Sequence, residues 1–106
     1  MKDHLKNSGL SSEVIEKINL IFSKYDEIEK VILYGSRAKG TYKHSSDIDL
    51  SIVSSDLDLT KLLKIENELD DLLLPFKIDL SLKSKIDNQK LIDHIDRVGV
   101  IFYVKS

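Results

Sequence analysis

Val31 to Val53 reads VILYGSRAKGTYKHSSDIDLSIV, and the rest of the chain is arranged around it. Val31 to Tyr34 are apolar and rich in β-branched side chains, and the run stops abruptly at Gly35-Ser36. A polar connection containing Gly40, Thr41, Ser45 and Ser46 then leads into Asp47-Ile48-Asp49-Leu50-Ser51-Ile52-Val53. This order predicts a strand, a tight turn, a short polar excursion and a second strand. Asp47 and Asp49 stand at i and i+2, so the two-residue period of a strand turns both carboxylates to one face and Ile48, Leu50 and Ile52 to the other. The apolar face supplies core and the acidic face is left for chemistry.

Two acids placed this way have Cα atoms roughly 6 to 7 Å apart. At an effective dielectric near 20 such a pair repels by about 2 to 3 kcal/mol, so a cation is expected between them. A carboxylate-only set with no cysteine and little histidine nearby suits a hard divalent ion such as Mg²⁺, which keeps several waters and shares its shell with substrate phosphates. The Gly35-Ser36 turn fits the other half of that ligand. Glycine lets backbone approach closely, and the following N–H groups with the Ser36 hydroxyl can take phosphate oxygens.

Gly35-Ser36, the ten residues Arg37 to Ser46, and Asp47-Ile48-Asp49 resemble the G-S-x(10)-D-x-D signature of the DNA polymerase β-type nucleotidyltransferase superfamily. The flanks GSRAKG and SDIDL are most similar to the minimal nucleotidyltransferases of prokaryotic toxin–antitoxin pairs. Four fixed identities at fixed spacing are expected by chance on the order of once in a thousand chains of this size, and the motif covers about a seventh of the chain. Lys39 is a local departure, since many relatives carry arginine there. The charge is kept and the planar fork is lost.

At 106 residues the chain reads as one domain spanning 1–106, long enough for a core and too short for a separate substrate-recognition domain. A net charge of -2 and a pI near 5.9 carry no electrostatic footprint for duplex nucleic acid, so no direct nucleic-acid partner is expected. With no cysteine, a disulfide framework is excluded and a reducing cytoplasm is compatible. MKDHLKNSGL has no apolar signal region and no run approaches a membrane span, so a cytoplasmic protein with no membrane partner is expected.

Around the motif, Ser11 or Ser12 can cap a helix that aligns Val14, Ile18, Ile21, Phe22 and Tyr25. Ser54 to Leu59 read as a polar turn, and Thr60 opens a helix with Leu62, Ile65, Leu69, Leu72 and Leu73 on one side before Pro75 blocks it. Phe76 to Leu82 alternates as a half-buried strand with Lys77, Asp79 and Ser81 on its polar face. A helix over Asn88 to Val98 turns Leu91, Ile95 and Val98 inward and ends at Gly99 as its C-cap before a last strand, Val100 to Val104. The fold class is therefore α/β (α+β), with a mixed four-stranded sheet and helices packed on one face.

Asp79 is the third candidate acid. It sits mid-strand on a polar face, where aspartate is disfavoured without a reason, and the family's fold places a third acid on a strand beside the paired two. The resemblance implies that Asp47 and Asp49 hold two Mg²⁺ ions, with Asp79 completing the shell of the catalytic ion. Gly35, Ser36, Arg37 and Lys39 are the candidate nucleotide-binding residues, Arg37 and Lys39 either reaching phosphates or bracing the loop. Arg97, the other arginine, falls in the last turn of a helix, where a cation suits the dipole. His4, His44 and His94 show no paired spacing for zinc.

The activity implied is transfer of AMP from ATP to a tyrosine of a HEPN-type ribonuclease toxin, which would silence it. Two other readings share the motif. A small-molecule nucleotidyltransferase that modifies an antibiotic usually carries a further helical domain, and a non-catalytic antitoxin acting by occlusion would not need the three acids. A polymerase or tRNA-tailing enzyme would need a basic surface.

Overall fold

A computed structural model describes residues 3–106, without the side chains of Asp3, His4 and Lys6, so the reading of the His4 side chain lies outside what is described, as do residues 1–2. A 3-10 turn, Asp3–Ser8, leads into helix α1, Ser12–Phe22. The Ser11 hydroxyl accepts from the Val14 N–H at 3.2 Å, so Ser11 is the cap. Ile15, Ile18, Ile21 and Phe22 form its buried stripe. Tyr25 lies beyond the helix end, in the turn that follows, yet it is buried in the same core.

Strand β1 is Lys30–Tyr34, helix α2 is the single turn Ser36–Lys39, and strand β2 is Ile48–Val53. Helix α3, Leu59–Asp70, is capped by Asp58, whose carboxylate accepts from Lys61 N–H at 2.8 Å; the cap thus precedes the expected Thr60. Strand β3 is Ile78–Leu82, helix α4 is Gln89–Val98 and strand β4 is Val100–Val104. A second 3-10 turn, Lys83–Lys85, follows β3.

The sheet order is β3-β2-β1-β4. β1 pairs antiparallel with β2 and β4, and β2 pairs parallel with β3, so the sheet is mixed. α1 and α3 cover the face that carries Val31, Leu33, Ile48, Leu50 and Ile52, all fully buried. α4 departs from the one-sided expectation by lying against β1 on the opposite face, where Ile32 and Tyr34 emerge. Gly99 explains how it comes so close. A Cβ there would stand 2.5 Å from Cγ2 of Ile32 and would collide with the Ile95 carbonyl. Gly99 is the C-cap of α4 as expected, and its φ of -64° is ordinary, so what a glycine serves here is close approach.

Leu73 is a second correction. α3 ends at Asp70, and Leu73 sits at φ 53° with 88% exposure, projecting away from the core that it was expected to join. No helix of the described residues is long and apolar enough to cross a membrane.

Candidate active site

The register of the sheet assembles the acids. Asp49 in β2 stands beside Asp79 in β3 and opposite Tyr34 in β1, and paired residues of neighbouring strands share a face. Asp47 immediately precedes β2, whose first N–H, from Ile48, donates to the Lys77 carbonyl at 2.9 Å. The three predicted acids are thus brought to one face, at the side of α4. Asp47 and Asp79 are exposed and Asp49 is half-buried. Burial, then the charges of Asp79 and Asp47, push the Asp49 carboxyl up from its ordinary 3.8 to about 6.

Burial is the larger cause of that rise, and the charge part of it is the repulsion foreseen from the i, i+2 spacing, joined by Asp79. Among the described residues no three His, Cys, Asp or Glu side chains converge into a ready metal cage. The set is nonetheless all-oxygen, open on one side and short of positive charge, which suits an ion that completes its shell with water and phosphate oxygens.

Gly35 closes the site from β1. Its φ of 76° lies in the left-handed region, and a Cβ there would run into Oδ2 of Asp49. Ser36 begins α2 directly after it and is half-buried, with its carbonyl accepting from the N–H groups of Gly40 and Thr41. Lys39 ends α2, exposed; its N–H donates to the Gly35 carbonyl at 3.2 Å, and its side chain has no hydrogen bond or ion pair among the described residues. It borders a polar cleft of about 510 Å³ with Asn7, Gly40 and Tyr42.

Arg37 corrects the expectation of a phosphate ligand. It is 2% exposed, and its guanidinium is engaged by backbone carbonyls. Nη1 donates to Ser8 at 2.8 Å, Nε and Nη2 donate to Ser46 at 3.2 and 3.1 Å, and Nη2 also approaches the His44 carbonyl at 3.5 Å. The Tyr42 and Phe76 rings lie 5.0 and 4.8 Å from its central carbon. A cation held this way is bracing, not ligand contact.

Sequence reasoning gave no site role to four further neighbours, Tyr34, Ser81, Ser51 and His94. Tyr34 was read only as the end of an apolar run, although alternation from Val31 and Leu33 already puts it on the acid face. Its hydroxyl bonds to Ser81, and burial, with the charges of Asp49 and Asp79, raises its pKa. Ser81 Oγ donates in turn to Ser51 Oγ at 3.2 Å, and Ser51 is fully buried. The His94 ring of α4 meets Tyr34 edge-on at 6.2 Å. Arg97 is exposed in the last turn of α4, as its position implied. An apolar groove of about 450 Å³ between α1 and β4 contains none of the three acids.

Comparison with known proteins gives the same arrangement a lineage. Residues 16–106 match the family model described as Polymerase beta, Nucleotidyltransferase. A candidate protein adenylyltransferase of Methanocaldococcus jannaschii, MJ1217, is 35% identical over 85 residues, covering 79% of this chain and 86% of the relative. A second from the same organism, MJ0126, is 32% identical over the same shares. Among solved structures, a toxin–antitoxin complex with AMP-PNP aligns at a TM-score of 0.69 with 21% identity, covering 92% of this chain and 76% of that one. A complex of a tri-AMPylated Shewanella oneidensis HEPN toxin with its MNT antitoxin aligns at 0.67 with 17% identity, covering 91% and 74%. The fold is shared with those structures. The family match across residues 16–106 shows that this chain belongs to the polymerase beta nucleotidyltransferase family and is a nucleotidyltransferase.

Proposed function

We propose that this chain transfers AMP from Mg²⁺-ATP to a tyrosine hydroxyl of a HEPN-type toxin and so acts as its antitoxin, in the cytoplasm where ATP is available. The observation that carries the reading is the alignment of Asp49 with Asp79, with Asp47 two residues before it and the Gly35-Ser36 turn packed against Asp49. The relatives named as candidate protein adenylyltransferases and the fold shared with toxin–antitoxin complexes support it.

Two Mg²⁺ ions held by Asp47, Asp49 and Asp79 would supply charge neutralisation for the triphosphate and for the acceptor oxygen. The chain's own contribution is position. The Gly35-Ser36 turn presents backbone N–H groups and a hydroxyl for phosphate oxygens, and Lys39 offers a free cation at the far end of the same helical turn. The acceptor hydroxyl oxygen attacks the α-phosphorus and its proton passes to solvent at the open face, the bond from that phosphorus to the oxygen bridging to the β-phosphorus breaks, and pyrophosphate leaves with the electron pair; orientation and charge provide the rate. The exposure of Asp47 and Asp79 leaves that face accessible to a docking protein.

Intact-mass measurement on a co-expressed HEPN partner tests the reading. A gain of one or more AMP units that disappears with Asp47→Asn is the expected result. An unmodified partner, alongside AMP transfer to a free small molecule, would move the protein to the antibiotic-modifying class. Toxin silencing that survives Asp47→Asn would point to occlusion.

A further inference from the structure

We propose that Arg37 is a positioning residue for the acids, tying the loop that delivers Asp47 to the N-terminal 3-10 turn through the Ser8 carbonyl; this rests on the reading above that Asp47 holds the nucleotide's metal. Arg37 directly follows Ser36, and two of its nitrogens converge on the carbonyl oxygen of Ser46, the residue before Asp47. The guanidinium therefore sets the separation between the phosphate-facing turn and the first acid. Its third nitrogen reaches back to Ser8, and the Phe76 ring on one side belongs to the lead-in to β3, which carries Asp79.

Among the described residues no carboxylate pairs with Arg37, so the burial of its charge is offset by carbonyl dipoles and ring faces alone. A cation buried merely to fill space would be replaceable by an apolar side chain of similar size. What an apolar side chain lacks is the fork, which holds two chain segments at one spacing. The Ser8 end of the tie lies outside residues 16–106, the part matched by the family model. Gly9 adds to it. At φ 76° it lies under the Tyr42 ring, which a Cβ would strike, and Tyr42 covers the guanidinium.

Binding of Mn²⁺ in the presence of AMP-PNP, followed by electron paramagnetic resonance on the full chain, tests this without relying on turnover. Arg37→Lys keeps the charge and loses the fork, and is expected to weaken Mn²⁺ binding about tenfold while thermal melting still shows a cooperative fold. AMP transfer to the partner should fall by about ten- to a hundredfold, as misplacement of a reacting group by an ångström can cause. Gly9→Ala leaves Arg37 and every acid in place and is expected to shift both readouts the same way, by about threefold. A folded Arg37→Lys protein with wild-type Mn²⁺ affinity overturns the inference. If Arg37→Lys does not fold, wild-type Mn²⁺ binding in Gly9→Ala overturns it instead. Failure of the wild-type chain to bind Mn²⁺ with AMP-PNP would overturn the functional reading itself.

Discussion

Gly35 and Asp49 share one packed space: a single Cβ on Gly35 would collide with the Asp49 Oδ2 atom. The last residues of β1 and the first of β2 are thus fitted to each other across the antiparallel pair, Tyr34 facing Asp49 in register and Gly35 closing over it. The glycine of the motif answers two demands, a left-handed φ and room for a carboxylate.

Gly35→Ala is therefore expected to harm both stability and turnover. The left-handed backbone costs about 1 to 3 kcal/mol for a residue with a side chain, and the new methyl group must displace Asp49. Urea denaturation and AMP transfer measured on the same preparation check it. Unchanged turnover in a folded Gly35→Ala protein would show that Asp49 need not hold its observed position.

The acids themselves are tested by binding. Calorimetry with the wild-type chain is expected to show tight Mg²⁺-ATP binding that weakens strongly in EDTA, and Asp49→Asn should abolish transfer while the protein still melts cooperatively. Replacing the anion by a neutral isostere also removes repulsion, so the fold should not suffer. Equal ATP affinity with and without Mg²⁺, or an active Asp49→Asn protein, would sink the metal assignment.

Most of the sheet and both central acids were legible because strand alternation and the Gly-Ser to Asp-x-Asp spacing are local signals. Asp79 could be ranked from the polar face of its strand, although only the parallel register with β2 sets it beside Asp49. Bracing was one of two readings open for Arg37, but its partners were not legible: they are carbonyls of Ser8, His44 and Ser46, and backbone acceptors leave no trace in side-chain identity. The side of the sheet taken by α4 was hidden for a related reason. Leu91, Ile95 and Val98 show that the helix has an apolar stripe, but nothing in the stripe says which face of β1 receives it. Gly99 was legible as the C-cap of α4, but its close approach to Ile32 was not.

The raised Asp49 pKa makes a prediction with a definite sign. Burial and the neighbouring charges place its folded value at about 6, above the ordinary 3.8 of an unfolded chain. Between those values the folded state holds a proton that the unfolded state has released, so stability falls as pH rises, and the penalty is complete above about 6. The metal-free protein is thus expected to melt at a higher temperature near pH 5 than near pH 7 in EDTA. Asp49→Asn should flatten that difference, and Mg²⁺ binding should weaken as pH drops below the Asp49 value because the ion must displace the proton. Identical pH slopes for wild type and Asp49→Asn would remove Asp49 as the cause.

Asp79→Asn separates catalysis from nucleotide binding. Asp49 and Asp47 belong to the motif segment and Asp49 packs against the Gly35-Ser36 turn, whereas Asp79 comes from the parallel neighbour strand and is the most exposed partner of Asp49 in the sheet register. If it completes the shell on the side where the acceptor arrives, its loss should lower turnover by about a hundredfold or more while Mg²⁺-ATP affinity changes little. The same substitution has an effect that requires no substrate. Asp79 is the leading charge that raises Asp49, so Asp79→Asn should bring the Asp49 pKa down, which carbon-13 NMR of the carboxylates can follow in the metal-free protein. A lowered Asp49 pKa together with wild-type turnover would make Asp79 a neighbour of the site and not a member of it; loss of turnover together with the lowered pKa would place it among the groups that act on the reacting phosphate.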